Sequence, residues 1–264
     1  MQQHTAFRHA VITGASSGLG AALAVRLAHS GATLTLFGRD KARLEKVAAD
    51  CTRRGAQVRT VICDVGDAAG MKKALLHADD MTPVDLIAAN AGLGGRDVLA
   101  GPNGETIELA RNICDVNIHG VFNTIIPLID SFIKRRNGHV VIISSIMAFQ
   151  GLPEAPVYSA SKAASRIYGQ GIRRMLKPHN VQVMVACPGF IDTPMSASLS
   201  YPKPFSMSAE AAADRIVQAI ERKKSEIVFP WQLRFLLRLV NSMPANWADR
   251  ILAVVKSLAI GRSH

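Results

Sequence analysis

Residues 11–20 read VITGASSGLG. Val11, Ile12 and Thr13 are a β-rich run, and the stretch AALAVRLAHSG that follows is apolar at helical spacing until Gly31, so the segment reads strand, glycine loop, helix. Gly14, Gly18 and Gly20 stand at G-x-x-x-G-x-G spacing. Gly14 allows a sharp turn, Gly18 a close approach of backbone to phosphate, and Gly20 tight packing of helix on sheet. With Ser16, Ser17 and Leu19 between them, they turn the free N–H groups of a helix N-terminus toward a pyrophosphate. The spacing departs from the G-x-G-x-x-G dinucleotide fingerprint while using the same physics, and a glycine-rich turn without a ligand is the competing reading.

Outward from this stretch, strands and helices alternate. Residues 33–37 are a β-branched run ending in Gly38-Arg39-Asp40, where an acidic side chain would hold a ribose 2′-hydroxyl. Arg39 there favours a 2′-phosphate and hence NADP(H), while Asp40 can compete for the hydroxyl and keeps NAD(H) open. A helix over 40–53 and a strand over 57–62 lead to Asp64 and Val65, with Asp64 placed for the adenine edge. A strand over 84–89 runs into Asn90-Ala91-Gly92, and a long helix over about 105–134 contains Asn117 and a bend expected at Pro127. Strands over 140–143 and 181–186 end at Ser144-Ser145 and at Cys187-Pro188-Gly189. A helix over 208–223 and a strand over 226–229 follow. The alternation argues α/β: a single doubly wound Rossmann-type domain with a mainly parallel seven-stranded sheet flanked by helices. It covers residues 1–230, including a substrate loop at about 190–208, and C-terminal amphipathic helices over 231–264 extend it. In such sheets ligands bind outside the carboxyl ends of the strands.

The second decisive stretch is residues 145–162, SIMAFQGLPEAPVYSASK. Tyr158 and Lys162 are four apart and share one face of a helix. A nearby ammonium stabilises the phenolate and lets the tyrosine act as general acid or base.

With the glycine loop, Asp64, Asn90-Ala91-Gly92, Asn117, Ser145, Tyr158-x-x-x-Lys162 and Pro188-Gly189 in that order, the chain resembles the short-chain dehydrogenase/reductase family over about residues 10–220. The interval of 13 from Ser145 to Tyr158 is the family's own, so Ser145 rather than Ser144 is the matching serine. The resemblance implies a catalytic tetrad of Asn117, Ser145, Tyr158 and Lys162. Tyr158 would exchange a proton with the carbonyl oxygen, Ser145 would hold that oxygen, and Asn117 would anchor a water relaying protons to Lys162. Lys162 would also hold the ribose hydroxyls. The backbone at Ile191 and the hydroxyl of Thr193 would hold the carboxamide, and Asn90 would stabilise the sheet near the adenosine. The chain departs from the family's pattern at Ala89, where many members have Asn, and at Met147-Ala148-Phe149 after the serine. Met147 and Phe149 would add apolar bulk beside the substrate or else pack in the core.

Composition bounds what else is open. The chain has 264 residues, 48% of them hydrophobic and 19% charged, enough for a substantial core and unlike a disordered segment. Cys51, Cys63, Cys114 and Cys187 are widely spaced, which fits neither a metal pattern nor a disulfide scaffold and suggests a reducing, cytoplasmic compartment. No metal is expected. No long apolar run precedes the first strand, so no signal peptide is expected, and no run of 18 apolar residues argues a membrane span.

The net charge is +11, of which +6 falls between residues 222 and 264, with eight Lys/Arg against two Asp/Glu. There WQLRFLLRLV sets Arg234 and Arg238 on one side of an otherwise apolar helix, interrupted by Pro244. A second stretch sets Trp247, Ile251, Val254, Val255 and Leu258 on one face and Asp249, Arg250, Lys256 and Ser257 on the other. These helices could pack on the body or a second subunit, lie peripherally on a membrane, or cover an apolar substrate, while residues 195–207 could form a lid of helix and loop with Tyr201 and Phe205 against the substrate. Nucleic acid is not favoured, because the charge lies in an apolar tail rather than in a stripe interleaved with base-stacking aromatics.

The expected function is an NADP(H)-dependent oxidoreductase acting on a small-molecule ketone or secondary alcohol, apolar or acyl-chain bearing. A 3-oxoacyl-thioester reductase is the alternative within the class, and a non-catalytic NADP(H)-binding sensor or scaffold the alternative outside it. By the same resemblance, the two long helices, about 105–134 and 156–177, would pair subunits into homodimers or homotetramers. Ala160, Ala163, Ala164, Gly169 and Gly171 would allow the close approach.

Overall fold

The computed structural model describes residues 7–101, 104–199, 203–244 and 246–250. β1 (His9–Thr13) passes through the glycine loop into α1 (Gly18–Leu27), followed by β2 (Thr33–Gly38), α2 (Lys41–Arg53) and β3 (Gln57–Ile62). Next come α3 (Ala68–Met81), a helix the sequence reading does not place, and β4 (Leu86–Ala89). α4 (Ile107–Cys114), a π-helical turn (Asp115–His119) and α5 (Gly120–Arg135) are continuous. β5 (His139–Ile143), α6 (Pro156–Leu176), β6 (Gln182–Pro188), β7 (Ile191–Asp192) and α7 (Pro194–Ala197) precede β8 (Met207–Ser208), α8 (Ala209–Glu221), β9 (Glu226–Phe229) and α9 (Trp231–Asn241).

Seven strands pair in the order β3-β2-β1-β4-β5-β6-β9, every pair parallel, and β7 and β8 form a separate two-stranded pair. The doubly wound sheet expected from the alternation is the sheet that forms. Successive strand residues face opposite layers. Ala10, Ile12, Leu34 and Leu36 pack with Leu23, Leu44 and Ile216 from α1, α2 and α8. Val11 and Phe37, one residue out of step, pack with Met71, Leu75, Ile125, Leu128 and Phe132 from α3 and α5. Each of the larger of these side chains taken fully out of water contributes about 1.5–3 kcal/mol. Because both faces are covered, the strands read as nearly continuous apolar runs. β1 lies between β2 and β4. The chain therefore leaves β1 toward one edge and returns through β4 to the other side, and the loops after β1 and β4 diverge to open a crevice.

The long helix departs from expectation. Pro127 sits inside α5, and a π-helical turn that the sequence reading does not place carries Asn117. By length and composition Ile107–Arg135 is apolar enough to cross a membrane, yet Val121, Ile125, Leu128 and Phe132 are spent on the core. The C-terminal end of α5 is fastened by Arg135, which donates to Asp79 Oδ2 at 2.8 Å and to the Val84 carbonyl at 2.9 Å. Burial opposes ionisation of Asp79. Hydrogen bonds from Arg135, the Val84 N–H and Ser131, with the guanidinium charge, outweigh it and hold the carboxyl below its usual range.

Gly169 was expected at a subunit contact, but a Cβ there would stand 2.4 Å from Val185 Cγ2, so this glycine lets α6 settle on the sheet. The four cysteines are free thiols. α9 belongs to the body through Leu233, Leu237 and Val240, which pack on or beside the second core layer. Tyr201 and the positions from Ile251 onward, including Val254, Val255, Lys256, Ser257 and Leu258, lie outside the described residues.

Candidate active site

The carboxyl ends of six strands, together with α6, enclose a cleft of about 1640 Å³. Gly14, Ser16, Ser17, Gly18, Leu19 and Gly20 line it from the loop after β1. Arg39 does so after β2, Asp64 and Val65 after β3, Asn90, Ala91 and Gly92 after β4, and Ser145 after β5. Pro188, Gly189, Ile191 and Thr193 follow β6, and Tyr158 and Lys162 project from α6. Asn117, buried behind this wall, is the one expected site residue that does not line the cleft.

The cradle's shape follows from the glycines. Gly14 and Gly18 have φ of +64° and +53°, the left-handed region that side chains disfavour. Gly20 is needed for space, since a Cβ there would lie 2.2 Å from the Gly14 carbonyl oxygen and 2.5 Å from Asn90 Nδ2. Asn90 Nδ2 donates to the Thr13 carbonyl at 2.9 Å and to that of Gly14 at 3.3 Å. Thr13 Oγ1 accepts from the N–H groups of Asn90 and Ala91 and donates to the Ala88 carbonyl. The two diverging loops are thereby stapled together. No acidic residue occupies the first turn of α1, and its leading N–H groups have no intrahelical acceptor, so the fit is to an anion such as a pyrophosphate. Thr13 carries a role that the sequence reading passed over; its only local sign is a hydroxyl at the last strand position before Gly14.

At the end of β2 both Arg39 and Asp40 line the cleft. Asp40 is the N-cap of α2, accepting from the Arg43 N–H at 3.0 Å and pairing with Arg43 Nε at 3.1 Å. Arg39 is exposed and reaches Asp64 Oδ2 at 3.4 Å. Arg43 lines the same end of the cleft, a second guanidinium that sequence reading missed.

The reacting end is built on α6. Its first turn is held by Glu105, whose carboxylate accepts from the Val157 N–H at 3.0 Å and complements the helix dipole. One residue further stands Tyr158, with Lys162 Nζ 5.8 Å from its ring centroid. Lys162 Nζ donates to the Ile143 carbonyl at 3.3 Å, and burial pulls its ammonium down to about 8. Ser145 Oγ accepts from the Met147 N–H at 3.1 Å, which leaves its O–H to donate. Ser144, the strand-end serine, donates instead to the Lys162 carbonyl at 2.7 Å. Asn117 joins three segments: Oδ1 accepts from the Leu93 N–H at 2.7 Å, and Nδ2 donates to the Leu93 carbonyl and to Ser161 Oγ. Ser161 in turn donates to the Tyr158 carbonyl at 2.7 Å.

Thr193 caps α7, accepting from the Ser196 N–H and donating weakly to the Ile191 carbonyl. Beyond it, Leu93, Val98, Met147, Leu152, Met195 and Leu199 give the remaining lining a mostly apolar surface, broken by Asp97, Gln150 and Glu154. Of the two readings left open, Met147 lines the cleft while also packing on the second core layer, and Phe149 does not line it: the Arg166 guanidinium stacks over its ring at 4.0 Å, and its carbonyl accepts from Asn241 of α9. Phe205 is 52% exposed and also stands off the cleft, which Pro204 lines. Among the described residues no group of three or more His, Cys, Asp or Glu side chains gathers as a metal ligand set.

This cleft, at the switch point of a doubly wound sheet, with a tyrosine and a lysine one helical turn apart, is that of an oxidoreductase. The chain belongs to the short-chain dehydrogenase family, whose model matches residues 8–203. It is 33% identical over 241 residues to an uncharacterized oxidoreductase of Myxococcus xanthus, covering 90% of this chain and 93% of that one. Its fold matches a short-chain dehydrogenase from Sphingobium yanoikuyae in complex with NADPH, with TM-score 0.77, 23% identity and 95% and 94% of the two chains covered. It also matches a short-chain dehydrogenase from Mycobacterium paratuberculosis bound to NAD, with TM-score 0.74, 23% identity and 84% and 95% covered.

Proposed function

We propose that the chain is an NADP(H)-dependent oxidoreductase interconverting an apolar ketone and its secondary alcohol, with Tyr158 exchanging the proton. The observation that carries this reading is the convergence of Ser145, Tyr158 and Lys162 on one cleft whose other side is mostly apolar. The bound nicotinamide would supply or accept the hydride at the carbonyl carbon. Tyr158 donates its phenolic proton to the carbonyl oxygen in reduction and takes it back from the alcohol in oxidation. The Ser145 O–H, oriented by the Met147 N–H, steadies that oxygen as charge builds on it. Lys162 favours the phenolate that remains and holds the ribose, and Asn117 keeps the Leu93 loop and α6 in register behind them. The glycine cradle takes the pyrophosphate, and Asp64, Val65 and Asn90 flank the adenosine.

Arg39 and Arg43 beside the end of β2, with Asp40 committed to its cap, support a 2′-phosphate and therefore NADP(H). Exchanging Arg39 for serine is expected to lower the preference for NADPH over NADH by about 10- to 100-fold, the range of one hydrogen bond to a charged group. Consumption of both cofactors against ketones of graded chain length measures it. An unchanged ratio would remove Arg39 from the argument, and tight NADPH binding with no turnover across the panel would count against the enzyme reading.

The subunits pair, on this reading, through α5 and α6, where Ile126, Ile167 and Met175 are 54%, 59% and 50% exposed and Ala160 and Gly171 lie open. Ile126→Glu with Ile167→Glu is expected to reduce the light-scattering mass to that of one chain. A wild-type protein already at that mass would end the idea. The free thiols support a cytoplasmic setting.

A further inference from the structure

α9 has two faces of unlike fate. Leu233, Leu237 and Val240 are turned to the body. On the other side Trp231, Phe235 and Leu239, spaced four apart, are 70%, 66% and 47% exposed. Arg234 and Arg238 stand exposed among them, and the helix contains no Asp or Glu. Further along the chain Trp247 is also 66% exposed, and Asp249, two residues later, lines the cleft.

We propose that this face docks on an anionic lipid bilayer. Large aromatic side chains at the headgroup level bury their apolar rings, while guanidiniums on long stems stay beside lipid phosphates. The charge is complementary over the whole region, since residues 222–264 carry eight Lys/Arg against two Asp/Glu. A second copy of the chain suits the face less well: pairing α9 with α9 would gather four guanidiniums around an apolar seam with no carboxylate on either helix to meet them.

The chain's two tryptophans are Trp231, on this face, and the exposed Trp247 of the same C-terminal region, so its own fluorescence reports the contact. Full-length protein is mixed with vesicles of phosphatidylcholine alone or with phosphatidylglycerol added, and emission and co-sedimentation are followed. Binding and a blue shift on the anionic vesicles, weakened by salt, are expected. Arg234→Glu with Arg238→Glu should weaken binding by about thirtyfold or more, and Trp231→Ser with Phe235→Ser should abolish most of the shift. Circular dichroism and thermal unfolding check that both variants fold. Failure of the wild type to bind anionic vesicles overturns the proposal, as does binding that neither pair of substitutions alters. So does a dimer that falls apart in these variants without any vesicle contact, which would assign the face to a second copy. Binding requires no turnover, so this outcome is read apart from that of the proposed reaction.

Discussion

Replacing Tyr158 by phenylalanine is expected to lower kcat for ketone reduction by about 10²- to 10⁴-fold, the usual worth of a positioned general acid, with NADPH binding little changed. Only the phenolic oxygen is removed, and the ring keeps its place near Lys162 at the head of α6. Stopped-flow turnover and NADPH fluorescence titration separate the two effects. Equal loss of binding and rate would mean a collapsed cleft, and undiminished turnover would remove Tyr158 from the chemistry. The same site carries a sign for pH. Burial lowers the Lys162 ammonium to about 8, so it is charged at neutral pH and loses its proton as pH rises through that value. Reduction consumes a proton and needs the Tyr158–Lys162 pair fully protonated. Its kcat/KM, which reports the free enzyme, should be level below about 8 and fall above it as Lys162 loses the charge that stabilises the phenolate left behind. A reduction profile level well into alkali would separate Lys162 from the proton's path.

Gly20→Val is the second large effect. The added Cβ would meet the Gly14 carbonyl oxygen at 2.2 Å, the Gly14 carbonyl carbon at 2.8 Å and Asn90 Nδ2 at 2.5 Å. Two of these neighbours are backbone, fixed by the turn at Gly14, and cannot step aside cheaply. Relief requires α1 to move off the sheet or Asn90 to release β1. About 3 kcal/mol of stability is expected to go, at the upper end of overpacking costs. NADPH affinity should fall by at least about tenfold, because the N-terminus of α1 moves with the clash. Chemical denaturation and fluorescence titration measure the pair. A variant of wild-type stability and affinity would show that the contact between cradle and staple is soft.

The fold was legible because its signals are local. Val11 to Gly20 states a strand, a turn and a helix within ten residues, and each later strand ends at a recognisable loop. The same locality made the cleft readable, since residues at strand ends must meet when the strands are parallel neighbours. What escaped depends on partners distant in sequence. Pro127 was a visible breaker, yet the π-helical turn forms where Asn117 bonds to Leu93 and Ser161, both far along the chain. Met147 and Phe149 were indistinguishable by chemistry, and tertiary packing sends one to the cleft and the other under Arg166. Gly169 resembled its neighbour Gly171, but one faces Val185 and the other has nothing within 4 Å. Arg43 was hidden because its value comes from Asp40 being used as a cap.

The short pairing of β7 with β8, Ile191 to Met207 and Asp192 to Ser208, has a consequence for how this protein can change. It clasps the substrate-side excursion at its base, so both ends of that excursion are anchored whatever lies between them. Lengthening a loop with fixed ends costs only about 0.6 kcal/mol for each doubling. Insertions between Pro194 and Ser206 can therefore accumulate without disturbing the nucleotide cradle across the cleft. On the proposed reading, the clasp makes that span an interchangeable module, which a change of substrate would reshape while the nucleotide cradle is inherited intact.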